Sequence, residues 1–243
     1  MGFRSNGPAA RVLSGLAYDE KRDVVVLFGG YTESGSLADT WEWDGKSWTC
    51  RCPDTHPPAR HGHEMYYDSL RGKVVLYGGY NQKKFFNDAW EWIGDECTWK
   101  EIELEDDSPV ASYYALAYDP DRDYALGLLS GFPGGTWMFK DHTWMVMSPR
   151  QEPGNRGGTT LVYDPQNMNF IVFGGESRDV FQNDTWIFDG GGWTRYPDGG
   201  SRPEVRADMV IWHDRVRGHV MLYGGNNDKV TFDDMWEFIP LDE

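Results

Sequence analysis

Arg11, Arg60, Arg156 and Arg206 each stand eight residues before an Asp, and Asp39, Asp88, Asp184 and Asp234 each stand two residues before a Trp. At the one further place where both patterns fall due, Ala111 and Gly135 occupy them. Arginine and aspartate that are kept or lost together read as ion pairs, because a half-buried carboxylate is costly to desolvate without its cation. The guanidinium fork also suits an anionic group on a ligand. Arg60, Arg156 and Arg206 are therefore candidate ligand-binding residues as well as pairing residues. His61 and His63 follow Arg60 on one strand face and join them as ligand-binding candidates. No third metal ligand is evident near the two imidazoles, so no metal and no cofactor is expected. Spacing locates no acid–base pair, and no catalytic residue is assigned.

Other chemistry-bearing residues read as structure. Cys50, Cys52 and Cys97 are an odd number without a four-ligand set, which excludes a zinc ribbon. They read as reduced thiols, and a bridge from Cys97 to Cys50 or Cys52 requires an oxidising compartment. The acidic run Asp119-Pro120-Asp121-Arg122-Asp123 lacks the Gly and terminal Glu of an EF-hand and reads as a turn. Asp44-Gly45-Lys46-Ser47-Trp48 misses the Asp-x-Gly spacing of a sialidase Asp-box.

Charge and composition narrow the partners. With 39 acidic against 23 basic residues the net charge is −16, which opposes approach to a phosphate backbone. Nucleic acid is not expected as a partner. No apolar run reaches the roughly eighteen residues of a membrane span, so no membrane insertion is expected either. The opening residues 1–8 carry no apolar signal region, and a cytoplasmic site is expected if the chain is complete. The expected state is a monomer.

The elements that position these residues recur. Tyr18-Asp19, Tyr67-Asp68, Tyr118-Asp119, Tyr163-Asp164 and His213-Asp214 are separated by 49, 51, 45 and 50 residues. Ten residues after four of these Asp stands a pair, Gly29-Gly30, Gly78-Gly79, Gly174-Gly175 or Gly224-Gly225, and Leu129-Ser130 takes that place in the third unit. A first Trp follows at 41, 90, 137, 186 and 236, and a second at 48, 99, 144 and 193. The unit boundaries fall near 11–53, 60–104, 111–149, 156–196 and 206–239.

Each unit reads as four strands. The first ends at the Tyr-Asp, and a short turn leads into a continuous apolar run such as Val74 to Tyr77, suited to a strand covered on both faces. The third alternates, as in Thr40-Trp41-Glu42-Trp43-Asp44, and the fourth begins at the second Trp. Alternation puts Trp41 and Trp48, Trp90 and Trp99, Trp137 and Trp144, Trp186 and Trp193, and Trp236 on the face toward a neighbouring unit. The Gly pairs end a buried strand where the chain turns with positive φ, and a neighbour's aromatic ring is expected to press on their bare backbone.

The double Gly, the hydrophilic loop after it, the spaced Trp pair and the period near fifty resemble kelch repeats, over essentially the whole chain. The family's usual Tyr before the last Trp position is Trp43, Trp92, Phe139, Phe188 or Phe238 here. The resemblance implies an all-β chain, a β-propeller of five four-stranded blades in a single domain spanning 1–243. The last unit stops after its third strand, and residues 1–5 are expected to supply the fourth and close the ring. A fragment of a larger ring is the alternative.

The third unit has seven residues from Ser130 to Trp137 where the others have eleven from the second Gly to the Trp. A gap in the loop face is expected there, beside Tyr113, Tyr114, Phe132 and Pro133. Tyr113, Tyr114 and Phe132 thus complete the ligand-binding candidates. Galactose-oxidase-like enzymes share the architecture but need copper, Tyr and His ligands and a Cys joined to Tyr, and the three Cys here fall at outer strands. The iron motif Glu-x3-Asp-x3-His of kelch specifier proteins is missing. The expected function is a non-catalytic scaffold whose loop face binds a protein segment or a glycan. The alternative is a small sugar-acting enzyme, mutarotase- or lyase-like, using the same face.

Overall fold

Residues 7–105, 108–130 and 134–240 are described in a computed structural model of the chain. They form two compact units, one of residues 1–113 with 141–144 and one of 114–140 with 145–243. Among the described residues every regular element is a β-strand, and none is a helix long and apolar enough to cross a membrane.

In the first unit one sheet has the order β1-β2-β5-β6, from β1 (Gly15–Asp19), β2 (Val24–Phe28), β5 (Thr40–Trp43) and β6 (Trp48–Arg51). Between its second and third strands stands a small hairpin of β3 (Tyr31–Thr32) and β4 (Gly35–Ser36). The next sheet takes β7 (Glu64–Asp68), β8 (Lys73–Tyr77), β9 (Ala89–Ile93) and β10 (Thr98–Ile102) in chain order. All pairings are antiparallel, as short turns between consecutive strands require. Ala17, Val26 and Phe28 of one sheet pack against Met65, Val74, Leu76, Trp90, Trp92 and Trp99 of the next.

The second unit repeats the plan. Its sheets are β11 (Ala115–Asp119), β12 (Tyr124–Leu129), β13 (Gly135–Lys140) and β14 (Thr143–Val146), whose first two residues cluster with the other unit. Next come β15 (Thr160–Asp164), β16 (Asn169–Phe173), the hairpin of β17 (Glu176–Ser177) and β18 (Val180–Phe181), β19 (Thr185–Phe188) and β20 (Trp193–Arg195). The last sheet has three strands among the described residues, β21 (Val210–Asp214), β22 (His219–Tyr223) and β23 (Met235–Phe238). Residues 1–5, expected to supply its fourth strand, lie outside the described residues.

The recurrent Asp of the Tyr-Asp pair has a local cause. Its carboxylate caps the turn that follows: Asp68 Oδ1 accepts from the N–H groups of Leu70 and Arg71 at 3.1 and 2.9 Å, and Asp119 Oδ1 does so from Asp121 and Arg122 at 2.9 and 3.1 Å. Such Asx turns let a carboxylate stand in for the missing backbone acceptor. The acidic run at 119–123 is therefore a turn.

The Gly pairs correct one expectation. A Cβ on Gly29 would lie 2.6 Å from the Arg60 carbonyl oxygen, and one on Gly78 would lie 2.5 Å from that of Ala111, with no indole nearest either. Main-chain oxygen, not an indole, is nearest, because neighbouring repeats are stitched there main chain to main chain. Gly30 N–H donates to Arg60 O at 2.9 Å and Arg60 N–H to Leu37 O at 3.0 Å. Gly79 and Ala111, and Gly175 and Arg206, repeat the contact at 2.7 and 2.9 Å. The second Trp of a unit does reach the preceding sheet: Trp99 Nε1 donates to Thr40 Oγ1 at 2.9 Å with its ring edge-to-face on Phe28, and Trp193 Nε1 donates to Thr136 Oγ1 at 2.8 Å.

Candidate functional site

In four of the repeats the entrance to the first strand is built around an arginine. Arg60 makes a bidentate pair with Asp88 at 2.6 and 2.8 Å, donates to the Gly78 carbonyl at 2.9 Å, and lies 3.9 Å over the Phe86 ring. Arg11 pairs with Asp39, Arg156 with Asp184 and Arg206 with Asp234, each within its own repeat. The same carboxylates accept from the first indoles, Trp41, Trp90, Trp186 and Trp236, at 2.6 to 2.8 Å. Burial works against charge at Asp39, Asp88 and Asp184, but the hydrogen bonds from Arg and Trp outweigh it and hold the carboxyls below their usual range. At Asp234 the Arg206 bond leads the same lowering. In the third repeat, without Arg or Asp, Trp137 Nε1 turns to the Gly134 carbonyl at 3.4 Å.

These contacts correct the assignment of Arg60, Arg156 and Arg206 to ligand binding. Their side chains are 0%, 4% and 0% exposed, and each guanidinium is held by a carboxylate and backbone carbonyls. His63 is corrected likewise. It is buried, its Nε2 accepts from Gly15 N–H at 3.2 Å, and burial, with Arg60 beside it, pushes its pKa down to about 3. Tyr114 is buried as well, and Phe132 lies outside the described residues.

His61 and Tyr113 do come together, in the first unit, inside a group of rings that sequence reasoning missed. His61 bridges by backbone to Tyr80, and its ring centroid lies 4.9 Å from Tyr31, 5.5 Å from Tyr80 and 6.1 Å from Tyr113. Tyr80 stacks on Phe85 at 4.5 Å. His61 Nδ1 meets Ser36 Oγ at 2.9 Å, and Gln82 Nε2 donates to that same hydroxyl at 2.9 Å. Burial lowers the His61 pKa, so the imidazole at the centre is neutral at neutral pH. Around it Tyr31, Phe85 and Tyr113 keep 36%, 54% and 43% of their surface exposed. The only signal in the sequence was register: Tyr31 and Tyr80 each directly follow a Gly pair, where the later repeats carry Glu176 and Asn226.

The backbone beneath this group is unusual. Leu13, Gly62 and Tyr113 occupy one position of the repeat, and all three are left-handed, with φ of 58°, 62° and 54°. They are linked in a row, Gly62 N–H to Leu13 O at 3.0 Å and Tyr113 N–H to Gly62 O at 2.9 Å. In the second unit Gly158 and Asp208 repeat the geometry, with Asp208 N–H donating to Gly158 O at 2.6 Å. For a bulky residue such as Tyr113 this conformation costs about 1–2 kcal/mol, and residues held so tend to gather at functional sites.

Two other concavities lie in the second unit. One of about 520 Å3 runs along β23 and is lined by Phe173, Tyr196, Ile211, Leu222, Trp236 and Phe238. One of about 690 Å3 lies beside the shortened connection, among Ser130, Glu152, Asn155, Glu176 and Arg178. Among the described residues no group of three or more His, Cys, Asp or Glu is placed to hold a metal.

Comparison with known proteins agrees with the repeat. The family described as KLHDC2/KLHL20/DRC7 Kelch-repeats domain matches residues 2–128. No curated protein matches the chain. A solved structure titled "Structure of YjhT" matches with a TM-score of 0.72 at 15% identity, over 93% of this chain and 80% of that one. At that identity the likeness speaks for the fold, a β-propeller whose blades are the five sheets described above.

Proposed function

The chain belongs to the kelch-repeat family, and from that premise we propose that it is a binding scaffold without catalysis of its own, which takes a protein segment on the aromatic surface around His61. The observation that carries this reading is the exposure of Tyr31, Phe85 and Tyr113 about a neutral, hydrogen-bonded imidazole. Amphipathic rings offer large contact area at low conformational cost, which is what the centre of a protein interface needs. Ser36 and Gln82 add polar groups that orient a partner's backbone. The net charge of −16 favours segments with basic flanks, through long-range attraction and through cations over the Tyr faces.

Selection from a displayed random-peptide library, followed by calorimetry on the winning peptides, tests the proposal. Tyr31→Ala and Tyr113→Ala are each expected to weaken binding about tenfold, or about 1.4 kcal/mol, while the unfolding midpoint of Tyr31→Ala stays in place. Selected peptides indifferent to both substitutions would overturn the reading. So would a glycan array that yields ligands competing at these rings where peptides yield none, an outcome that favours the sugar-binding alternative.

A further inference from the structure

Strand β6 is the outermost strand of its sheet and ends at Arg51, with Cys50 and Cys52 on either side of that residue. Strand alternation sends Arg51 to one side, where its Nε donates to Glu42 at 2.8 Å, and the two thiols to the other. Both cysteines are exposed, and their sulfurs lie 3.7 Å apart. Cys97 is different: it is half-buried in the turn before β10 and packs against the core between the first two sheets. Of the three free thiols, then, two are exposed and already in contact.

We propose that Cys50 and Cys52 are a reversible thiol–disulfide exchange site whose reaction partner is a low-molecular-weight disulfide. Bond formation needs the sulfurs to close from 3.7 Å to about 2.05 Å, a movement within reach of side-chain rotation and a slight bend where the strand ends. Residues two apart on an extended strand have Cα atoms about 6.6 Å apart, at the upper end of the range disulfides span. The ring that forms is accordingly strained and exposed, the kind of disulfide that is readily reduced again.

The exchange balances without any group beyond that reagent. One protein thiolate attacks a sulfur of RS–SR, forming a mixed disulfide and releasing RS⁻. The second protein thiol loses its proton and attacks the protein sulfur of the mixed disulfide, releasing the second RS⁻. Two protein S–H groups and one RS–SR become one protein S–S and two RSH, and the two electrons leave the protein sulfurs for the reagent's. Burial and contact with Cys52 push the Cys50 thiol up, so the exchange is slow at neutral pH and quickens in mild alkali.

The test equilibrates a Cys97→Ser chain with graded ratios of reduced and oxidised glutathione, quenches with acid, alkylates and weighs the intact protein. The expected product is two hydrogens lighter, takes up no alkylating reagent and reverts on reduction. Cys50→Ser and Cys52→Ser, made in the same background, should instead each retain one glutathione. Peptide mapping of the unsubstituted chain should find the same internal bond. Accumulation of mixed disulfide on the parent would overturn the proposal, as would a bridge to Cys97. A bond that forms no more readily in the folded chain than in urea would overturn the claim that the fold holds the two sulfurs ready.

Discussion

The ring of Tyr113 lies over the bare backbone of Gly62, so close that a Cβ added there would stand 3.2 Å from Tyr113 Cε1. A tyrosine ring thus covers glycine at the strand entrance, whereas main-chain oxygens stand nearest Gly29, Gly78, Gly174 and Gly224. Gly62 has φ of 62° and Tyr113 φ of 54°, so each residue constrains the other through the hydrogen bond that joins them.

Gly62→Ala should destabilise the fold by about 1–2 kcal/mol, since the new methyl meets both an unfavourable φ and the tyrosine ring. Tyr113→Gly should do the opposite, raising stability by up to about 1 kcal/mol while weakening peptide binding as Tyr113→Ala does. Urea unfolding read beside calorimetry separates the two effects. A tyrosine present only for stability would make Tyr113→Gly destabilising.

Arg60→Ala should cost about 3–5 kcal/mol, because it leaves the Asp88 carboxylate without its cation and the Gly78 carbonyl without its side-chain donor in a mostly dry site. Arg60→Lys should recover only part of that loss, since an ammonium cannot make the two parallel bonds to Asp88 or lie flat on Phe86. Denaturant midpoints of the two variants check the order.

The His63 contribution to stability should fall as pH drops below about 6.5, opposed down to about pH 4.5 by Glu64, whose carboxyl burial pushes up to about 8. The folded chain holds His63 neutral down to about pH 3, whereas an unfolded His takes up a proton near its ordinary value of about 6.5. Between those limits the unfolded state binds the extra proton, so the His63 contribution declines by about 1.4 kcal/mol per pH unit as pH falls. His61, lowered by burial, acts in the same direction. His63→Gln should shift the slope of urea-unfolding free energy against pH by close to one proton between about pH 6.5 and 5, leaving the opposite slope of Glu64 uncovered. An unchanged slope would show that another group carries it.

Thr40→Val should cost about 1–2 kcal/mol through Trp99, whose buried indole N–H then has no acceptor on the preceding sheet. Near-ultraviolet circular dichroism should report the displaced indole together with the shift in thermal midpoint.

The pairing of Arg with Asp was legible because the third repeat lost both residues at once, and an interaction that is absent as a unit declares itself as one. The Asp's second partner, the first Trp, was not legible, since every repeat has that indole whether or not the carboxylate is present. Trp137 shows why: with Gly135 in place of Asp, its N–H finds a backbone carbonyl. His61 and Tyr113 were singled out for their types, but Tyr31, Ser36, Tyr80, Gln82 and Phe85 were not. They come from loops of two different repeats, and nothing in linear spacing says which loop tips meet.

Sequence alone determined the five-fold repeat, the all-β class and the residues that turn, cap and pair within each repeat, because those interactions act over short, regularly recurring separations along the chain. Tertiary structure alone decided which of the candidate side chains reach the surface. Whether an arginine or a histidine is open to a ligand depends on what neighbouring strands and loops bring against it through space. Arg60 and His63 were covered in that way, while Tyr113 was left standing over Gly62.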